Sequence, residues 1–318
     1  MIPFNERSIN IDAGVRCTLQ CPGCARTKLI KNGKRIPGKD LTIEQFDKIA
    51  DYFERVGFCG TWSDPIFNKN FIEFLKICKH KNKQVEISTA ASHKPVKWYE
   101  EAFNANWDAY WVFGIDGLPE ESHKHRVNQD GVKLFNMMLS AKYYGLDVQW
   151  QYIVFDYNIH NVQKAKEIAK FHKIDILFLE SERKYLDPEL KNASLNNETK
   201  TGLMGWSKLQ DKKLKNNFKP KCLLTDRDLS FSSTGHILPC CWLNTSMKEK
   251  HIDKLFSEKL HIENNDTVQE IIDSDEWKNF FDKLENDPIG SLPSTCELYC
   301  SVSLEKNIGV NRTRINRS

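Results

Sequence analysis

Cys17-Thr18-Leu19-Gln20-Cys21-Pro22-Gly23-Cys24 follows directly on Ser8-Ile9-Asn10-Ile11-Asp12-Ala13. The earlier stretch alternates and reads as a β-strand, so a CxxxCxxC loop leaves the end of the first strand. Three thiolates this close can ligate three irons of a cubane cluster. Four-iron clusters normally take four cysteines, so one iron keeps an open position. A zinc site usually takes four protein ligands, and no nearby Cys or His completes this one.

Outward from that loop, short apolar runs alternate with helical patterns. Leu41–Val56 has Ile43, Phe46, Ile49, Ala50 and Phe53 at helical spacing, with Thr42 and Gln45 placed as a capping box. Helices are also predicted over Phe71–His80, Lys97–Asn104, Gly131–Tyr144 and Val162–His172. Strands are predicted over Phe58–Thr61, Val85–Thr89, Ala109–Ile115, Val148–Phe155 and Ile174–Leu179. Strand-then-helix order implies parallel strands joined by right-handed crossovers. Six such strands suit an incomplete α/β barrel.

Composition sets the bounds. The 318 residues are 40% hydrophobic and 28% charged with a net charge of +3, ordinary for a globular chain and neutral about anionic partners. No apolar run is long enough to span a bilayer, and Met1–Arg7 lacks the apolar core of a signal peptide. A cytoplasmic location without membrane partners is therefore expected. Ten cysteines in that compartment point to metal or redox work rather than disulfides.

The motif and its position resemble the radical S-adenosylmethionine (SAM) superfamily. The resemblance implies a partial (β/α)6 barrel over residues 1–185. It also implies a four-iron cluster on Cys17, Cys21 and Cys24, and SAM bound through the open iron and cleaved by an electron from the reduced cluster. Trp62-Ser63-Asp64-Pro65 stands where the family often has Gly-Gly-Glu-Pro, which makes Asp64 the expected partner of the SAM amino group. Ser88-Thr89-Ala90-Ala91 stands at the family's Thr-Asn-Gly turn. Gly114-Ile115-Asp116-Gly117 is similar to its Ser-Ile-Asp-Gly, and Arg126 lies in the region whose arginine can pair with the SAM carboxylate. Ser88, Asp116 and Arg126 join Asp64 as expected SAM contacts. The chain departs from the family at Gly23, commonly aromatic, and at Gly114, where a hydroxyl is lost. The alternative readings for Asp64 and Asp116 are a helix N-cap and a turn residue.

Residues 186–219 read as a polar linker. Beyond it, Cys222 is followed by Gly235, Cys240 and Cys241, then by Cys296 and Cys300. This set resembles the twitch form of the SPASM extension, a small α+β domain over residues 220–318. Cys222, Cys240, Cys296 and Cys300 are then the expected ligands of an auxiliary four-iron cluster, with Cys241 able to replace Cys240. A zinc ribbon is the rival, though such sites typically use CxxC pairs. Thr267–Leu284 reads as one amphipathic helix that folds back onto the barrel. Cys59 and Cys78 read as small core residues.

The resemblance implies an oxidation or cross-link of a peptide, sugar or nucleotide-type substrate, with electrons from a donor such as flavodoxin or ferredoxin. No catalytic side chain is singled out. The first strand begins by about Ser8, so no leader-binding domain is expected ahead of it. The rival class is a non-catalytic iron–sulfur carrier or a zinc-stabilised binding module. Lys28, Lys31, Lys34, Arg35 and Lys39 form a basic loop, either solvated or able to meet an acidic or phosphorylated substrate. Two clusters predict about eight irons per chain and negligible zinc after anaerobic reconstitution, measured by metal analysis.

Overall fold

The strands form because apolar residues recur at every second position. In Val148–Val154, residues 148, 150, 152 and 154 are buried and those between are half-exposed, as a strand with one face against a helix layer requires. The computed structural model describes residues 8–181, 229–245 and 252–286, together with Leu190, Ala193 and Cys296.

Among the described residues eight strands make one sheet: β1 (Ser8–Ile11), β2 (Arg55–Phe58), β3 (Gln84–Thr89), β4 (Tyr110–Gly114), β5 (Val148–Val154), β6 (Asp175–Glu180), β7 (Leu229–Phe231) and β8 (Ile237–Leu238). Their order is β6-β5-β4-β3-β2-β1-β7-β8. The first six are parallel in sequence order, and β7 adds parallel to β1. Only β8, paired with β7, is antiparallel. The fold is thus α/β with the six parallel strands expected of a partial (β/α)6 barrel. The hairpin β7–β8 extends that same sheet.

Helices α1 (Ala25–Lys31), α2 (Ile43–Tyr52), α3 (Phe71–His80), α4 (Val96–Ala105), α5 (Gly131–Tyr143) and α6 (Val162–Phe171) lie between successive strands. Phe46 of α2, Phe58 of β2 and Phe71 and Phe74 of α3 interlock, with ring centroids 4.5 Å apart for Phe46–Phe74 and 5.1 Å for Phe58–Phe71. Two short C-terminal helices, α7 (Val268–Ile272) and α8 (Asp275–Asn286), join the same hydrophobic core through Ile271, Trp277 and Phe281. Lys48 of α2 donates to the carbonyls of Ile262 and Asn265 at 3.3 and 2.7 Å.

Three boundaries differ from expectation. Strand β2 begins at Arg55 and ends at Phe58, because Thr61 and Trp62 turn away to donate to Asp12. Cys59 is consequently exposed, whereas Cys78 is buried in the core as expected. The single helix expected over Thr267–Leu284 is broken at Ser274, whose hydroxyl donates to Ile271 and accepts from the Trp277 amide. Lys28 and Lys31 belong to helix α1 rather than to a loop. The linker and most of the C-terminal segment lie outside the described residues.

The capping box is present in full: Thr42 accepts from the Gln45 amide at 3.2 Å and Gln45 Oε1 from the Thr42 amide at 3.1 Å. Thr42→Ala should lower stability by about 1 kcal/mol, read as a shift in the urea midpoint at unchanged slope.

Candidate active site

Parallel strands leave their carboxyl ends on one edge, and the CxxxCxxC loop leaves β1 there. Neighbouring loops of the same rim hold it. The Asp64 amide donates to the Arg16 carbonyl at 3.0 Å, and the Gln20 amide to the Val127 carbonyl at 3.1 Å. Thr18 meets His93 Nδ1 at 2.7 Å, and Asn128 donates to the Thr18 carbonyl at 3.2 Å. The loop is therefore laced to the exits of β2, β3 and β4. Gly23 has φ +75°, a left-handed conformation that disfavours the aromatic side chain common in the family at this position.

Cys17, Cys21 and Cys24 are all half-buried. Burial, then the charge of Asp64, pushes the Cys17 thiol up to about 12. Burial also raises Cys21, opposed by the charge of the nearby Arg126 guanidinium. Among the described residues no three Cys, His, Asp or Glu side chains converge on a single ion. A cubane cluster asks for less, since each thiolate binds a different iron. Three soft thiols on one loop are the donor set that such a cluster takes with one iron left open.

Asp64 is buried and caps a short 3-10 turn, Pro65–Phe67. Its carboxylate accepts from the Thr89 hydroxyl at 2.9 and 3.0 Å, and from the amides of Ala90, Ala91 and Ile66 at 2.9, 3.1 and 3.4 Å. Burial raises its pKa against those bonds. It fastens the exit of β2 to that of β3, and it reaches an ammonium group only by releasing one of these donors. Thr89 of β3 makes the side-chain contact. Ser88 lies half-buried beside Val112 of β4, on the other face of β3 from Ile87 and Thr89.

Asp116 is fully buried at the end of β4. Its Oδ2 meets His125 Nδ1 and Arg126 Nε, each at 2.6 Å, and its Oδ1 accepts from the Ile153 amide at 2.9 Å. Burial alone would raise its pKa, but the Arg126 charge and the His125 hydrogen bond outweigh it and hold the carboxyl at about 2. Arg126 thus lies between Asp116, which holds its Nε, and Cys21, whose thiol feels its charge. Gly114 makes room for it: a Cβ there would stand 3.1 Å from Arg126 Nη2 and 3.2 Å from Ala90 Cβ.

Asp12, unremarked in the sequence, is a third buried carboxylate of this rim. It accepts from the Thr61 and Trp62 amides at 3.0 and 2.8 Å and from the Ser63 hydroxyl at 2.7 Å. Asn244, in the 3-10 turn after β8, reaches it at 3.4 Å. Burial raises Asp12 to about 6. The signal for it was an acid at the exit of the first strand, just ahead of the cysteine loop.

In the C-terminal set, Cys240 follows β8, Cys241 opens the turn Cys241–Thr245, and Cys296 is buried. Gly235 has φ +85° in the β7–β8 turn, as expected of a hairpin. Cys222 and Cys300 lie outside the described residues.

Solved structures with a similar fold include Streptococcus suis SuiB bound to S-adenosylmethionine, at TM-score 0.57 and 12% identity over 92% of this chain and 77% of that one. The same protein bound to its precursor peptide SuiA matches at TM-score 0.56 and 12% identity, over 80% of this chain and 66% of that one. AdoMet-bound anSMEcpe matches at TM-score 0.55 and 14% identity, over 86% and 79%. The fold is that of the radical SAM enzymes. No family model and no curated protein matches the chain. Within this radical SAM fold the cysteine loop, Asp64, Asp116 and Arg126 all lie on the carboxyl-end rim, the face on which barrels of this kind place their chemistry. Among the described residues no helix is long and apolar enough to cross a membrane.

The depressed Asp116 pKa has a stability consequence. Its contribution is present above the unfolded carboxyl pKa near 4 and is lost as pH falls towards 2. Urea midpoints measured between pH 5 and pH 2 should fall more steeply for the parent than for Asp116→Asn. The difference should be roughly 2 kcal/mol in total.

Proposed function

We propose that this chain is a radical SAM enzyme. The observation that carries the reading is the three-thiol loop leaving β1 at the rim of a radical SAM fold, with the Arg126 guanidinium close enough to Cys21 to act on its charge. Cys17, Cys21 and Cys24 would hold a four-iron cluster with one iron open to SAM. When bound, that cluster supplies the electron that cleaves SAM to a 5′-deoxyadenosyl radical, which takes a hydrogen from the substrate.

The chain's own residues position and shield. Arg126, anchored by Asp116, presents its guanidinium beside Cys21 for the SAM carboxylate. Asp12 holds the Thr61–Ser63 segment and Asp64 fastens it to the end of β3, and this segment together with Ser88 would border the space for the SAM amino group and ribose. Cys222, Cys240 or Cys241, Cys296 and Cys300 would ligate an auxiliary four-iron cluster of the twitch type, fully ligated and suited to one-electron transfer. Such a cluster supports a net oxidation or cross-link. A peptide is the substrate class best supported, because SuiB is solved with its precursor peptide. A sugar or nucleotide-type substrate is the alternative. The reducing cytoplasm is the compartment in which these thiols stay available.

Anaerobically reconstituted protein with a reductant and SAM should release 5′-deoxyadenosine, measured by chromatography. The triple variant Cys17→Ala/Cys21→Ala/Cys24→Ala should release none while retaining iron in its C-terminal part. Undiminished SAM cleavage by that variant would refute the assignment.

A further inference from the structure

Between Ala13 and Lys39 the chain carries seven basic residues and no acidic one. Without them it would hold 39 basic against 43 acidic residues, so this segment alone makes the net charge positive. The segment contains the cysteine loop. Arg16 pairs with Asp40 and Arg26 donates to the Leu19 carbonyl. The other five, Lys28, Lys31, Lys34, Arg35 and Lys39, are exposed, and among the described residues none makes an ion pair.

The surface they form is built rather than loose. Cys24 is the N-cap of α1, and the Lys28 amide donates to the Cys24 carbonyl at 3.0 Å. The chain after α1 is pinned to the β7–β8 turn: the Lys39 amide donates to the Ser233 carbonyl at 2.8 Å, and the Ser233 hydroxyl to the Pro37 carbonyl at 2.9 Å. Gly38, at φ +93°, allows the contact, since a Cβ there would stand 2.1 Å from the Ser233 oxygen. Beside Lys28 and Lys31 on the same short helix sits Ile30, 48% exposed. An apolar side chain rimmed by unpaired cations is the composition of a protein-docking spot, with charge steering encounter and the apolar residue excluding water. The segment has no aromatic residue on which a base could stack, which argues against a single-stranded nucleic acid.

We propose that α1 and residues 32–39 dock a small acidic redox protein that delivers one electron to the cluster held by the adjoining cysteine loop. This rests on the radical SAM reading and assigns its electron entry. The donor loses one electron and the cluster gains one; no bond or proton moves in that step. Lys28 and Lys31 lie four and seven residues beyond Cys24, about 6 and 10 Å of helix rise, so a protein seated there is close to the cluster.

The test uses the full chain and a bacterial flavodoxin as probe. Three proteins are compared: the parent, Lys31→Glu/Lys34→Glu/Arg35→Glu, and a control with three reversed charges on another face, Lys164→Glu/Lys166→Glu/Lys170→Glu. Calorimetry should show parent binding that weakens steeply with salt, about tenfold or more weaker binding in the first variant, and near-parent binding in the control. Ile30→Glu should also weaken it. Flavodoxin-driven SAM cleavage should fall with binding, whereas dithionite-driven cleavage should be equal in all of them. Equal flavodoxin affinity in the parent and the first variant would overturn the proposal, as would equal loss in the control. So would variants that release a single-stranded RNA yet keep flavodoxin binding and flavodoxin-driven turnover. If dithionite drives no SAM cleavage even in the parent, the radical SAM reading fails, and the docking surface is judged by calorimetry alone.

Discussion

Parallel strands joined by crossovers must all run the same way, and that constraint decides where chemistry can happen in this chain. Each strand from β1 to β6 delivers its carboxyl end to one edge of the sheet, so the loops that follow are neighbours however far apart they lie in sequence. Residues 17, 64, 89 and 116 meet there although they span a hundred positions. A rim made only of loops would be soft. Here it is fastened by three buried carboxylates that act in relay. Asp12, after β1, takes its donors from the loop after β2; Asp64, in that loop, takes them from the end of β3; Asp116, after β4, takes them from β5 and from Arg126. Each acid closes the gap to another strand exit.

The three acids differ in what balances their burial. Asp12 and Asp64 accept amides and hydroxyls only, and desolvation keeps their pKa values raised. Asp116 has a guanidinium against it and stays ionised far into acid. A buried ion pair of this kind adds less to stability than its geometry suggests, because both charges must leave water. Its clearer effect is on position. With Nε held by Asp116, Arg126 presents its remaining nitrogens in one direction, towards the cysteine loop, and Gly114 keeps the path clear.

Local signals made much of this legible in the sequence. Thr42 and Gln45 announced the start of α2, alternation gave β5 nearly to the residue, and Gly235 marked the hairpin turn. The order of elements sufficed for the six parallel strands, and the cysteine spacing for the loop. What stayed hidden depends on contacts far along the chain. Strand β2 was read too late because Thr61 looks like a strand residue until its amide is seen serving Asp12. Helix α1 was missed because Ala25–Lys31 offers too few apolar residues for a period to show. Thr89 and Ser88 are adjacent and chemically alike, and only the register of β3 against the Asp64 loop distinguishes them.

The hairpin β7–β8 lies beside β1 although some 220 residues of chain separate β1 from β7. On the ribosome, β1 can find β2 within the first sixty residues, but its other flank must wait for Leu229 to emerge. At 5–20 residues per second that wait is on the order of 10–40 s. Throughout it the first strand, with the cysteine loop at its tip, offers an unpaired row of backbone donors and acceptors, the kind of edge to which another chain can add. The vulnerable interval in the life of this protein is its own synthesis, and truncation before β7 would make that interval permanent.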